Sequence, residues 1–314
     1  MVKYFRTVDN ILIEESSACS NSWIVLTNPT AGEILDVAQE NEIEVSDLKA
    51  ALDDEERSRI EVEDEYTMIL VDIPTIERRD EQDWFITIPM SIIVKEDRII
   101  TVTLQDTPVL QSFIDGRVKH FNTRQRSRFI LQILYRNASW FIHYLRMIDK
   151  ESDAMEDALN DGTMRNKELI ELMGLEKSLV YFKTSLRSNE VVLEKLSRLP
   201  RFEKYPDDED LLEDVIIENK QAMEMANIYS GILEGMMNAF SSVVSNNLNQ
   251  VMKILAAVTI VISVPTMVSS FYGMNVNIAG MPFADYPEGF AIIIVFSLIL
   301  SLIVAFILKK KDMF

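Results

Sequence analysis

The sequence predicts an α/β domain followed by long α-helices and two membrane-spanning helices. Three observations predict it. Short apolar runs separated by turn residues are confined to residues 1–122, helical periodicity without strand signals follows, and two long uncharged apolar windows close the chain.

In the first region, residues 11–13, 23–26, 67–73, 85–94 and 98–104 read as strands, and 33–42 and 46–52 read as helices. Asn28-Pro29-Thr30 and Asp115-Gly116 punctuate them. Residues 123–206 read as long antiparallel helices, over 125–159 and 164–199, with breaks at Asn160-Asp161-Gly162 and between Pro200 and Pro206. No proline interrupts the chain between Asp207 and Pro265, so residues 207–271 read as one stalk helix that continues into a first membrane span at about 254–271. Such a helix is about 95 Å long at 1.5 Å per residue. Residues 272–289 form an external loop, 290–308 a second span and 309–314 a basic tail.

Charge supports this division. The 314 residues include 31 basic and 50 acidic side chains, a net charge of −19. Four of the basic and three of the acidic residues lie from position 253 onward, so residues 1–252 carry −20. That excess of acid excludes a nucleic-acid binder. Lys253 and Asp285 bracket 31 residues without a charge, and residues 290–308 are another 19, both membrane length. Residues 1–5 contain no apolar signal core, so the first 250 residues are expected in the cytoplasm. Lys253 before the first span and Lys309-Lys310-Lys311 after the second place both termini in the cytosol of a multi-pass protein in the cell (inner) membrane. The lysines serve as a phospholipid anchor or as a gating collar.

Cys19 is the only cysteine and His120 and His143 the only histidines, which leaves no disulfide and poor supply for soft-metal sites. His143 and Trp23, Trp84 and Trp140 read as packing residues. No phosphate loop, zinc-protease helix, nucleophile elbow or EF-hand loop occurs. Those absences predict neither an enzyme nor an organic cofactor, and any flux would follow the electrochemical gradient.

Along the first span and its approach, steps of three and four residues pick out Asn249, Met252, Ala256, Thr259, Ser263, Thr266 and Ser270, with Leu255 on the flank. This small, mostly polar stripe is a face unsuited to hydrocarbon. It reads either as a close helix-packing surface or as a pore wall whose oxygens hydrogen-bond the waters around a hard cation. Pro265 frees the carbonyl of Val261, so a kink or a hydrated backbone oxygen is expected there.

The outer end of the span reads Tyr272-Gly273-Met274-Asn275. Gly-Met-Asn after a first span, the approach Asn249-Gln250-Val251-Met252-Lys253, a second span and a terminal lysine run together resemble the CorA family of divalent-cation channels. The resemblance covers the whole chain and implies a funnel-shaped homo-oligomer, a pentamer in the family, that passes hydrated Mg²⁺ passively and has no small-molecule substrate beyond metal ions such as Mg²⁺, Co²⁺ and Ni²⁺. By position, Gly273, Met274 and Asn275 would form the selectivity filter, with Asn275 holding Mg²⁺ through its waters. Asn249 would be a polar ring at the inner mouth, Met252 and Leu255 hydrophobic constrictions, and Thr259, Ser263 and Thr266 further lining. Asn275 also suits a helix-capping role.

The chain departs from the family pattern at three places. Ser263 stands where the family often has a further Met. The regulatory acidic pair is replaced within Leu48-Lys49-Ala50-Ala51-Leu52, a second stalk carboxylate reads Asn238, and Asp214 alone is kept as a metal position on the stalk. The acidic runs at 53–56, 61–65 and 207–210 are either solvated faces or a diffuse field that gathers cations. The expectation is a sensor that has moved or weakened. A Zn²⁺ transporter of the same superfamily, where the motif is Gly-Ile-Asn, and a non-conducting membrane scaffold or sensor are the rival readings.

Overall fold

The structure, a computed structural model, describes residues 1–79, 82–160, 166–199, 206–277, 281–283 and 286–311. The breaks predicted at Asp161-Gly162 and over 200–205, together with Asp285, Asp312 and parts of the external loop and tail, lie outside the described residues. The chain divides into two compact units, residues 1–236 and 237–314.

In the first unit seven strands form one mixed sheet: β1 (Val2–Val8), β2 (Ile11–Glu15), β3 (Ser22–Thr27), β4 (Arg59–Val62), β5 (Thr67–Arg79), β6 (Gln82–Val94) and β7 (Arg98–Thr103). Their order is β2-β1-β3-β7-β6-β5-β4, with only β3 and β7 parallel. Alternation along each strand feeds two cores. Trp23, Val25, Ile69 and Val71 face one side, where they meet α3 (Pro108–Ile114), α4 (Arg126–Asn160), α5 (Asn166–Leu196) and the start of α6 (Pro206–Tyr272). Ile24, Leu26, Met68 and Leu70 face the other, under α1 (Ala31–Asn41) and α2 (Val45–Ala50).

Trp23 is fully buried against Phe5, Phe113 and Phe129, and its Nε1 donates to Thr101 Oγ1 at 2.9 Å. Trp84 and Trp140 are half-buried. His143 is exposed yet packs on its neighbours, its ring edge-on to Trp140 at 4.9 Å and tilted against Tyr144 at 5.7 Å.

The structure exceeds the sequence reading at β1, β4, α3 and the far end of β5, and for β1, α3 and β5 it gives the physical reason. β1 and β2 turn through Asp9 and Asn10, both left-handed, the geometry of a two-residue hairpin. The 11–13 run was therefore one arm of a pair. α3 begins at Thr107-Pro108, where the Thr hydroxyl accepts from the Val109 amide and proline suits the first helical turn. β5 continues past Pro74, where the sequence reading ended that strand, and β6 runs through Pro89 as the sequence reading had it, although neither proline suits a central strand.

These prolines are tolerated because the neighbouring strands have ended. β4 pairs with β5 only as far as Leu70, and β7 with β6 only as far as Met90. Where β4 stops, Asn189 of α5 takes its place: its Oδ1 accepts from the Asp72 amide at 2.9 Å and its Nδ2 donates to the Asp72 carbonyl at 2.8 Å. Asn137 of α4 also donates to that carbonyl. Burial pushes the Asp72 carboxyl above its usual range, against hydrogen bonds from Ser185 and Ser58 that pull it down.

Asn189→Leu is therefore expected to leave the Asp72 amide without a partner and cost about 2 kcal/mol. For a unit of this size that lowers the thermal midpoint by roughly 4–8 °C, measurable by circular dichroism of the full chain in detergent.

In the second unit, the C-terminal part of α6 pairs with α7 (Gly289–Lys310). Both helices are long and apolar enough to cross a membrane, and little of either apolar window is buried within the chain.

Candidate functional site

Along the end of α6, Ala257 is buried and Val261, Val264, Pro265, Val268 and Tyr272 are half-buried, and Ala257, Val261, Val264 and Val268 make the seam against α7. On α7 the matching buried residues are Ser297, Ser301 and Leu308. Small side chains on both sides let the backbones approach, as membrane helices require. Thr259, Ser263, Thr266 and Ser270 each follow a seam residue by two positions, which puts them about 200° round the helix at 3.6 residues per turn. All four are exposed. The second helix thus packs on the apolar face, and the hydroxyl stripe has no partner within the described chain.

Each hydroxyl donates to the carbonyl four residues earlier: Thr259 to Leu255 at 2.7 Å, Ser263 to Thr259 at 2.7 Å, Thr266 to Ile262 at 3.2 Å and Ser270 to Thr266 at 2.8 Å. With their protons engaged on the backbone, these oxygens present lone pairs outward. A surface of acceptors matches the outward-pointing hydrogens of water around a cation. Met252 lies seven residues before Thr259 and continues the stripe, with Leu255 beside it; they are 56% and 58% exposed. Asn249 is exposed on the turn before. The opposite outer surface, on α7, carries Phe290, Leu302 and Phe306, all more than two-thirds exposed and suited to lipid.

α6 ends at Tyr272, where the Gly273 amide donates to Ser269 O at 2.9 Å and the Met274 amide to Phe271 O at 3.4 Å. Asn275 lies beyond both bonds without a left-handed backbone, so it is not the helix cap that its residue type also suits. Its amide is exposed and makes no hydrogen bond among the described residues. Tyr272 ties the loop back through a 2.9 Å bond from its hydroxyl to Pro282 O. At the other end of the loop Phe283 is left-handed, and a Cβ on Gly289 would overlap the Phe283 carbonyl oxygen.

At Pro265 the sequence offered either a kink or a hydrated Val261 oxygen, and the structure adds a direct partner for that oxygen. α6 runs through the proline, and Ser301 Oγ on the second span donates to the freed Val261 carbonyl at 3.4 Å. Ser301 was missed by sequence reasoning; the signal available was its polarity inside an otherwise apolar window, four residues after Ser297.

In the first unit, Asp214 is exposed on α6, and among the described residues no three His, Cys, Asp or Glu side chains converge on a metal-sized site. The segment 48–52 supplies core instead: Leu48 and Ala51 are fully buried on or next to α2. α2 is fastened by Tyr66, whose hydroxyl donates to Asp47 at 2.7 Å and whose pKa is pushed up to about 12, first by burial and then by that bond. A cavity of about 530 Å³ near the β5–β6 end is lined by Arg78, Asp83, Trp84, Glu151 and Glu171 among others. Burial, then the charges of Asp83 and Glu171, raise the Glu151 carboxyl.

Comparison with known proteins agrees with this architecture. The chain is 28% identical over 301 residues to the cobalt/magnesium transport protein CorA of Methanocaldococcus jannaschii, covering 92% of this chain and 90% of that one. The complete structure of the CorA magnesium transporter from M. jannaschii superposes with a TM-score of 0.81 at 24% identity, over 98% of this chain and 96% of that one. The full-length CmaX protein gives 0.71 at 14% identity, covering 98% and 97%. The family model for CorA-like Mg²⁺ transporter proteins matches residues 20–310, and by that span the chain belongs to this family.

Proposed function

We propose that this protein is a homo-oligomeric channel, five copies by family resemblance, through which hydrated Mg²⁺ enters the cell passively along a path lined by the end of α6. The observation that carries the reading is the placement of the hydroxyl stripe opposite the seam with α7. One hairpin cannot enclose a water path, and a polar face turned to hydrocarbon is unfavourable, so copies arranged with their stripes inward satisfy both demands. α7 then faces lipid. Neutral oxygens suit an ion that dehydrates reluctantly, because they hold its inner waters rather than replace them.

The roles follow by position. Gly273, Met274 and Asn275 form the outer filter, Thr266, Ser263 and Thr259 the middle, Leu255 and Met252 the constriction and Asn249 the inner mouth. Lys253 and Lys309–Lys311 put both termini in the cytosol of the inner membrane, with the filter outside. An inside-negative potential then favours entry by about 2.3 kcal/mol per charge per 100 mV. Asp214, exposed and repeated on every copy, is the regulatory contact for Mg²⁺ between subunits, in a sensor weakened by the loss of the acidic pair. The protein is a transporter rather than an enzyme, and Mg²⁺ is its cargo.

The test is ion entry into liposomes containing the purified protein, driven by an inside-negative potential and read with an internal dye. Mg²⁺ and Co²⁺ are expected to enter without ATP. Entry of Zn²⁺ in preference to Mg²⁺ would favour the Zn²⁺ transporter, and no divalent flux at any internal Mg²⁺ concentration would favour a scaffold or sensor.

A further inference from the structure

Pro265 has no amide hydrogen, so the carbonyl of Val261 lacks the donor that every neighbouring turn of α6 supplies. In a bilayer no water replaces it, and an unpaired carbonyl is costly. The described hydroxyls of the hairpin that bond to their own helix are Thr259, Ser263, Thr266 and Ser270, and Ser297, which donates to Ile294 O at 2.9 Å. Ser301 departs from that pattern. It is only 7% exposed, on the seam, and its hydroxyl crosses to Val261 O at 3.4 Å.

We infer that Ser301 is a positioning residue for conduction: by holding the Val261 carbonyl it fixes the first span at its proline, and so sets how Ser263 and Thr266 face the path. The bond is made on one side of α6 while Ser263 and Thr266 occupy the other, so releasing it lets the helix bend at Pro265 and tilts both hydroxyls. A bond of 3.4 Å is long for a hydroxyl, which keeps its strength modest, yet it is the donor the structure offers this carbonyl. The inference rests on the reading of α6 as the pore wall.

A double-mutant cycle with Pro265 separates this role from simple packing. Restoring an amide with Pro265→Ala gives the Val261 carbonyl its own donor, after which the Ser301 hydroxyl is redundant. In the native background Ser301→Ala is expected to slow Mg²⁺ entry into liposomes about threefold, the size of a typical interhelical bond in a bilayer, and to lower the melting temperature in detergent. Ser301→Thr, which keeps the hydroxyl, is expected to retain flux. In the Pro265→Ala background, Ser301→Ala is expected to change neither flux nor melting further. Equal losses in both backgrounds, or none in the native one, would overturn the inference. A native protein that passes no divalent cation would overturn the conduction reading instead, and the melting cycle alone would still decide whether Ser301 holds Val261.

Discussion

Asn275→Ala is expected to slow Mg²⁺ entry into liposomes at least about tenfold, equivalent to roughly 1.4 kcal/mol of lost stabilisation along the path, while leaving the melting temperature unchanged. The second half of this expectation comes from local structure. Asn275 lies past the last bonds of α6, its backbone is not left-handed and its amide makes no hydrogen bond among the described residues. An exposed side chain without a structural task is replaced by alanine at little cost. The first half comes from charge and geometry. An amide oxygen accepts from the waters of a hydrated cation without stripping them, and one copy per subunit converts a weak contact into a ring. Asn275→Asp makes a useful companion, because a carboxylate ring holds a divalent cation more tightly and slows its release. Native flux in Asn275→Ala would remove the filter assignment and return the selectivity to the hydroxyl stripe.

Features with a short period and a local cause were legible in the sequence. The hydroxyl stripe could be read because steps of three and four residues survive any arrangement of the rest of the chain. The two apolar windows could be read because charge is so costly in hydrocarbon that its absence is itself a signal. Long-range compensation was not legible. Pro74 looked like a strand end because nothing local reveals that β4 stops beside it, or that Asn189, 117 residues from Asp72, supplies the missing peptide partner. Ser301 was hidden for the same reason, since its partner lies 40 residues away and exists only because Pro265 withholds an amide. Asp214 illustrates a different limit. It is exposed in this chain, and the shared site proposed for it would have its complement on another copy.

The double substitution Met252→Ala with Leu255→Ala is expected to raise Mg²⁺ entry about tenfold at high internal Mg²⁺, where a closed path matters most, a change equivalent to about 1.4 kcal/mol. Large apolar side chains that are 56% and 58% exposed at the base of an otherwise hydroxylated stripe are poor choices for contact with water, and good ones for a ring that expels it. Ser263 adds hydroxyl instead of hydrocarbon to the stripe, so on the proposed reading the barrier depends on Met252 and Leu255. Removing both leaves oxygen atoms or small side chains along the path from Asn249 to Ser270, which favours a continuous column of water. The ratio of Mg²⁺ to Co²⁺ entry should stay fixed, because the proposed filter at Asn275 is untouched by these substitutions. Oligomer mass by light scattering supplies the decisive control. A subunit that still assembles but leaks identifies the pair as a hydrophobic gate, whereas lost assembly with lost flux identifies them as packing between copies. Unchanged flux in an intact oligomer would move the gate elsewhere.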